Sequence, residues 1–297
     1  MEAVLGLKVA VIGLGLIGGS LALALKQHTC CTVIGYDQCA KTMASAEASG
    51  AVDVVASSME EAVAGADVIV YAINPSLIGD AVRRTAAAMK IGAVVTDVAS
   101  AKGDMADKLA VLLPNGVCYI GGHPMAGSEQ TGFAAAHAEL FRGRPYILLN
   151  HDPESKAAIG RLEALVSQIG AKAVVMDASM HDPAVAAISH VPHITAAALC
   201  IAAGEGDQGA LNLTLAAGGF CDMTRVASSN PVMWADICCT NRDAVSGAID
   251  HLQHVLDQVR ELLAQDDQQG LAAFFGKAKA IRDGAQHHFD LTGGGRR

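Results

Sequence analysis

The stretch "GGHPMAGSEQTG", Gly121–Gly132, sets one histidine between two glycines and a proline and follows it six residues later with a glutamate. A neutral imidazole near its unperturbed pKa can take a proton from an alcohol while a hydride leaves the same carbon. The small neighbours let backbone and substrate come close. His123 is therefore a candidate acid/base group, with Glu129 a carboxylate at a fixed short spacing from it. Ser100, in "DVASAKGD", is a candidate to orient that histidine or to hold a substrate hydroxyl. Lys102 stands nearby, and a surface role suits it equally well.

A second constellation lies near the start of the chain. "GLGLIG" places glycines at 13, 15 and 18, after an apolar run and ahead of a helical pattern. Gly13 allows a tight turn, Gly15 lets the backbone approach a pyrophosphate, and Gly18 lets helix and strand pack closely. Leu16 and Ile17 open the helix whose N-terminus stabilises phosphate charge. Asp37 follows Gly18 by nineteen residues, at the end of the next β-rich run. A carboxylate there accepts from a ribose hydroxyl and repels a 2′-phosphate, which favours NAD over NADP. Lys41 is the nearest cation in the sequence after it.

The elements that must position these groups follow from the patterning. "KVAVIGLG", "CTVIGYD", "ADVIVYAI", "AVVTDVAS", "VCYIGGHP", "PYILLN" and "KAVVMD" are seven predicted strands, interleaved with helical stretches up to residue 177. This alternation predicts a parallel sheet covered on both faces. In such a sheet, ligands sit outside the carboxyl ends of the strands, so the glycine loop, Ser100 and His123 should share one edge. After Asp177 every segment follows helical spacing. Asp182–Pro183 and Asn230–Pro231 resemble N-cap and N1 pairs. The expected organisation is an α/β, Rossmann-like dinucleotide-binding domain over 1–177, an all-α dimerisation domain over 178–285 and a disordered tail over 286–297.

Composition narrows the classes. Hydrophobic residues make up 52% of the 297-residue chain, and the formal net charge is −9. No basic stripe stands out, so nucleic acid is not an expected partner. The eight cysteines form no C-x-x-C pair and are expected to be small buried hydrophobes, not metal ligands. No signal peptide or membrane span is expected, which predicts a cytoplasmic protein.

Together, "GLGLIGGSLA", "DVASAKG", "GGHPMAGSEQTG", "SHVPHITAAAL" and "GGFCDMTRVASSNPVMW" resemble the prephenate/arogenate dehydrogenase family over about residues 7–285. The resemblance implies NAD-dependent oxidative decarboxylation of a cyclohexadienyl acid. It implies that His123 accepts the proton of the ring 4-hydroxyl and that Ser100 bonds both histidine and substrate. It places Glu129 in an ionic network near the entrance, His193 and Arg225 on substrate carboxylates, and Asp222 and Trp234 near the pocket. It further implies a homodimer formed through the helical domain, whose alanine-rich helices over 183–203 and 208–218 would expose much apolar surface alone.

Bottom-up arguments agree in part. Prephenate is a dianion, and Arg225 offers a planar fork suited to a carboxylate. His190 and His193 share a helix face, with His190 read as structural. Pro192 between them should kink the segment. His251 and His254 repeat the spacing on a charged helix and are read as solvated. A β-hydroxyacid dehydrogenase would place a lysine base in the helical domain, where the first lysine is Lys277. A non-catalytic NAD sensor would have no use for Ser100, His123 and Arg225 together.

Overall fold

The computed structural model describes residues 6–127, 130–150 and 155–285. The expected tail and Glu129 lie outside the described residues. Strands β1 (Lys8–Ile12), β2 (Thr32–Tyr36), β3 (Val54–Val55), β4 (Val68–Tyr71), β5 (Val94–Asp97), β6 (Cys118–Pro124), β7 (Pro145–Asn150) and β8 (Lys172–Asp177) form one sheet. Their order is β3-β2-β1-β4-β5-β6-β7-β8. Helices α1 (Leu16–His28), α2 (Ala40–Ala48), α3 (Met59–Val63), α4 (Pro75–Thr85), α5 (Met105–Ala110) and α6 (Lys156–Gln168) cover it.

The central strands are apolar without alternation because both of their faces are covered. Every residue of β4 and β5 is buried. One core packs Val9, Val11 and Val70 with Leu21 and Leu25 of α1 and Leu162 of α6. The other packs Ile12, Ile69 and Val95 with Ile78 and Val82 of α4 and Leu109 of α5. The order reverses between β1 and β4, which makes the crevice above their carboxyl ends the place for a ligand.

Two features depart from the expected sheet. The two-residue strand β3 pairs parallel with β2 and is too short to leave a periodic signal. The junction of β6 and β7 is antiparallel, with His123 opposite Ile147, whereas β7 and β8 are again parallel. The first half of β6 pairs with β5 and its second half only with β7. His123 therefore sits on a strand that continues past the end of β5, not on a free loop.

After β8 the described residues are helical: α7 (Ala178–Val185), a π turn at Ala186–His190, α8 (Val191–Gly204), α9 (Gly209–Thr214), α10 (Gly218–Thr224), a 3₁₀ turn at Arg225–Ser228, α11 (Pro231–Thr240), α12 (Arg242–Ala264) and α13 (Gln268–Gly284). Asn230 caps α11 as expected, accepting from the amides of Val232 and Met233. Asp182 does not cap a helix. α7 begins at Ala178, Pro183 lies inside it, and the Asp182 carboxylate is engaged elsewhere. The run Ala178–Gly204 is long and apolar enough, by length and composition, to cross a membrane. It nevertheless packs on the sheet domain and carries Asp182, His190 and His193.

The cysteines depart from expectation as well. Cys31 is buried and Cys118, Cys200 and Cys238 half-buried, but Cys30, Cys39, Cys221 and Cys239 are exposed. His251 and His254 are exposed on α12, as their charged surroundings predicted. The Asn230 cap gives a simple check on the local account. Asn230→Ala should lower stability by about 1 kcal/mol, read from the urea midpoint at unchanged slope; an unmoved midpoint would show that the cap contributes nothing.

Candidate active site

The glycine loop has the geometry its sequence implied. Gly13 has φ +93°, and a Cβ there would stand 2.4 Å from the carbonyl oxygen of Ala72. A Cβ on Gly18 would lie 1.9 Å from the carbonyl oxygen of Gly13, whereas one on Gly15 would meet nothing within 4 Å. The first and third glycines serve packing, and the second faces the space a pyrophosphate would take. Leu16 and Ile17 begin α1, whose amides point toward that space.

Asp37 directly follows β2, and its carboxylate accepts from the amides of Leu14 and Cys39, each at 2.8 Å. That ties it to the glycine loop while its remaining lone pairs stay available. A cleft of about 290 Å³ opens beside it, lined by Gly13, Tyr36, Asp37, Gln38, Ile73, Leu77 and Arg84 among others. Arg84 comes from α4 and pairs with Glu60 at 3.2 Å. It is a cation in this cleft that sequence proximity to Asp37 did not reveal. These residues fit a dinucleotide.

Further along the same edge, glycines bring β6 against β5. A Cβ on Gly122 would lie 2.4 Å from the carbonyl oxygen of Asp97. His123, the next residue, is 6% exposed. Its Nδ1 lies 2.9 Å from Nε2 of His181, with the rings nearly edge to face. His181 is fully buried, and its Nδ1 lies 2.7 Å from a carboxylate oxygen of Asp182. Asp182 also accepts from the amides of Lys102 and Gly103, at 3.1 and 2.7 Å. The middle of α7 is thereby fixed to the loop after β5.

Lys102 is not at the surface. It is 4% exposed, ion-paired with Asp97, and donates to the carbonyl oxygens of Ala99 (2.9 Å) and Gly122 (2.5 Å). Asp97 also accepts from the Tyr119 hydroxyl at 2.6 Å. Burial pushes the Lys102 ammonium below its ordinary range, and the Asp97 charge opposes that shift. Ser100 lies half-buried two residues earlier, on the same edge. The hydrogen bond at Nδ1 of His123, however, goes to His181.

A second cluster forms in the helical domain. The rings of His193 and Trp234 stack with centroids 3.8 Å apart, and Trp234 meets His190 edge-on at 6.0 Å. His193 Nδ1 donates to the carbonyl oxygen of Ser189 at 2.9 Å. Burial depresses the His193 pKa, the Ser189 bond opposes that, and the nearby Arg225 charge depresses it further. His193, Trp234 and Arg225 are thus brought together. Arg225 is exposed on its 3₁₀ turn, and Asp222 is exposed one turn earlier on α10. Asn241 links the two clusters. Its amide nitrogen lies 2.9 Å from the Asp182 carbonyl oxygen and 3.1 Å from His190 Nδ1. Nε2 of His190 and Nε1 of Trp234 are buried with no hydrogen-bond partner among the described residues.

His181 and Asn241 pass unnoticed in the sequence, where Asp182 reads as a helix cap. "HD" at 181–182 was its one available signal, and the following proline disguised it as a helix start. The electrostatics explain why His123 suits base chemistry. Burial lowers its pKa well below 6.5, and the charge of Lys102 acts in the same direction. A base must begin uncharged. An imidazole kept neutral on the same sheet edge as a dinucleotide loop is the equipment of a nicotinamide-dependent oxidoreductase, and that is the class the fold defines.

Comparison with known proteins makes the class specific. A family model described as the nucleotide-binding domain of prephenate dehydrogenase matches residues 21–175, and one described as its dimerization domain matches 177–277. The chain is 36% identical over 279 residues to a prephenate dehydrogenase of Bacillus subtilis, covering 93% of this chain and 75% of that protein. The crystal structure of Synechocystis arogenate dehydrogenase superposes with a TM-score of 0.81 at 32% identity, covering 93% and 99% of the two chains. Prephenate dehydrogenase from Aquifex aeolicus, solved with hydroxyphenyl propionate and NAD+, gives a TM-score of 0.85 at 26% identity, covering 93% and 97%. The chain belongs to the prephenate dehydrogenase family.

The buried histidines predict a pH dependence of stability. His190 is pushed down to about 4, chiefly by burial, from an ordinary 6.5. Between those values the unfolded chain binds a proton at this site that the folded chain does not, so stability falls as pH drops through the window. His123 acts with the same sign. Asp182 does not contribute there. Burial raises its pKa, but the bonds from His181, Gly103 and Lys102 outweigh that and hold it below its ordinary 3.8. Melting temperature should therefore decline from about pH 6.5 to 4, and less steeply in His190→Asn. An equal slope in that variant would place the cause elsewhere.

Proposed function

We propose that the chain catalyses NAD-dependent oxidative decarboxylation of prephenate to 4-hydroxyphenylpyruvate, of arogenate to tyrosine, or of both. The observation that carries this reading is His123, buried and uncharged, on the sheet edge that also bears the glycine loop. NAD+, when bound, accepts the hydride from ring carbon C4. Gly13, Gly15, Leu16, Ile17, Gly18 and Asp37 would hold it, with its ribose on Asp37 and its pyrophosphate at the start of α1. His123 takes the proton from the 4-hydroxyl. The dienone so formed loses its ring carboxylate as carbon dioxide and becomes aromatic.

Arg225 and His193 hold the substrate carboxylates. Trp234 stacks on His193 and fixes its ring, which supports this assignment. Lys102 is already committed to Asp97 and two carbonyl oxygens, so the substrate's negative charge must find another cation. Ser100 and Asp222 complete the site at its margins. The β-hydroxyacid alternative finds no support, since Lys277, the first lysine of the helical region, lies exposed on α13.

The protein acts as a homodimer in the cytoplasm. Ile201, Leu211, Leu213, Leu215, Val232 and Phe275 each expose more than half their surface in the single chain, and a matching face on a second copy would cover them.

The test is an NADH-formation assay with prephenate and arogenate side by side, with and without tyrosine. Activity with at least one is expected, and none with either would remove the reading. In the same assay His123→Asn should lower kcat by about 10²–10⁴-fold; near-normal turnover would take His123 out of the chemistry. Arg225→Ala should raise KM by about 10- to 100-fold, the equivalent of losing one charge-assisted hydrogen bond of about 1.5–3 kcal/mol. An unchanged KM would place Arg225 outside the pocket.

A further inference from the structure

Behind His123 stands a hydrogen-bonded series with a built-in direction, and it crosses from one domain to the other. Its far end is Asp182, a carboxylate that only accepts. The carboxylate takes the amide protons of Lys102 and Gly103 and lies 2.7 Å from His181 Nδ1. His181 must therefore carry a proton on Nδ1, because a bare nitrogen would face the carboxylate as a second acceptor. In the neutral ring this leaves Nε2 as an acceptor. Nε2 lies 2.9 Å from His123 Nδ1, so His123 must donate there. The remaining nitrogen of His123, Nε2, is left with its lone pair.

We infer that His181 is a positioning residue for the reaction: backed by Asp182, it fixes the tautomer of His123 that presents Nε2 as the base. The inference rests on the reading of His123 as the group that accepts the substrate proton. When Nε2 takes that proton, His123 becomes a cation whose Nδ1–H still points at His181. His181 in turn points its Nδ1–H at Asp182, and the carboxylate stabilises the new charge without any further proton having to move.

The charged and titratable groups facing this series come from every element around it. Lys102 and Asp97 lie on β5 and its loop, Tyr119 on β6, and His190 on the π turn. Both rings are buried, and the backbone of His123 is paired in β6.

The most direct test is a long-range proton–nitrogen NMR correlation of the full chain with nitrogen-15 histidine near neutral pH, assigned by the signals missing from His123→Asn and His181→Asn. Both rings should be neutral with the proton on Nδ1. A proton on Nε2 of His123, or a doubly protonated His181, would overturn the inference, and this readout needs no variant to be active. The second arm is kinetic. His181→Asn keeps a donor near Asp182 but is too short to accept from His123. Its kcat should fall by up to roughly 10⁴-fold, in the manner of a lost tautomer-fixing partner, with KM nearly unchanged. Parent-like kcat in His181→Asn beside an inactive His123→Asn would defeat the positioning role alone. Normal turnover in His123→Asn would defeat the reading beneath it.

Discussion

The carboxylate of Asp182 is the fixed point on which the site depends. It is the first acidic group of the helical domain after the sheet ends, and it accepts two backbone amides from the loop after β5 as well as the imidazole of His181. A buried carboxylate left without such donors is costly, while each charge-assisted bond contributes about 1.5–3 kcal/mol. The interaction therefore sets how α7 meets the sheet. The backbone around it has adapted. Gly103 has φ +49°, and a Cβ there would come within 2.8 Å of the Thr240 carbonyl oxygen. Loop, α7 and the end of α11 meet where a side chain at 103 would not fit.

From that point two sets of groups diverge. Toward the sheet, His181 reaches His123, which stands on the part of β6 that outruns β5. Toward the helices, Asn241 joins the Asp182 backbone to His190, and the rings of Trp234 and His193 lead on to Arg225. Under the proposed function, the base comes from one domain and the carboxylate-binding cation from the other, with substrate between them. The charge balance fits this division. The chain carries a net charge of −9, yet its substrate is an anion, so local cations must act against the overall field. Lys102, the cation nearest the base, is neutralised by Asp97 and joins β5 to β6. It helps to keep His123 uncharged, and it is not spent on substrate.

Much of this was legible where the reason for a residue is local. Gly13 and Gly18 answer to a backbone approach within a few residues or to the adjacent strand, and Gly15 to the open space before α1; their spacing stated those demands directly. His123 was legible from the glycines and proline beside it, though the reason for Gly122 proved to be the Asp97 carbonyl. Asn230 announced its helix because a cap and its amides are neighbours in sequence. His181 and Asp182 were not legible, since their partners lie 58 and 80 residues away, and Pro183 made the aspartate look like a cap. The antiparallel turn of β7 left no trace either, because a fully buried strand has the same apolar composition in either direction. Arg84 reaches the Asp37 cleft from α4, five elements further along the chain than β2. Lys102 shows the same limit, since no pattern marks a lysine that a single aspartate draws inside.

The central claim is that His123 Nε2 meets the oxygen of the reacting alcohol. A crystal structure of the complex with NAD+ and an unreactive cyclohexadienyl or hydroxyphenyl analogue measures this directly. The account predicts that nitrogen within about 2.6–3.2 Å of the ring hydroxyl oxygen, with Nδ1 still on His181. A ring turned away from the hydroxyl, with another side chain within reach of it, would contradict the account.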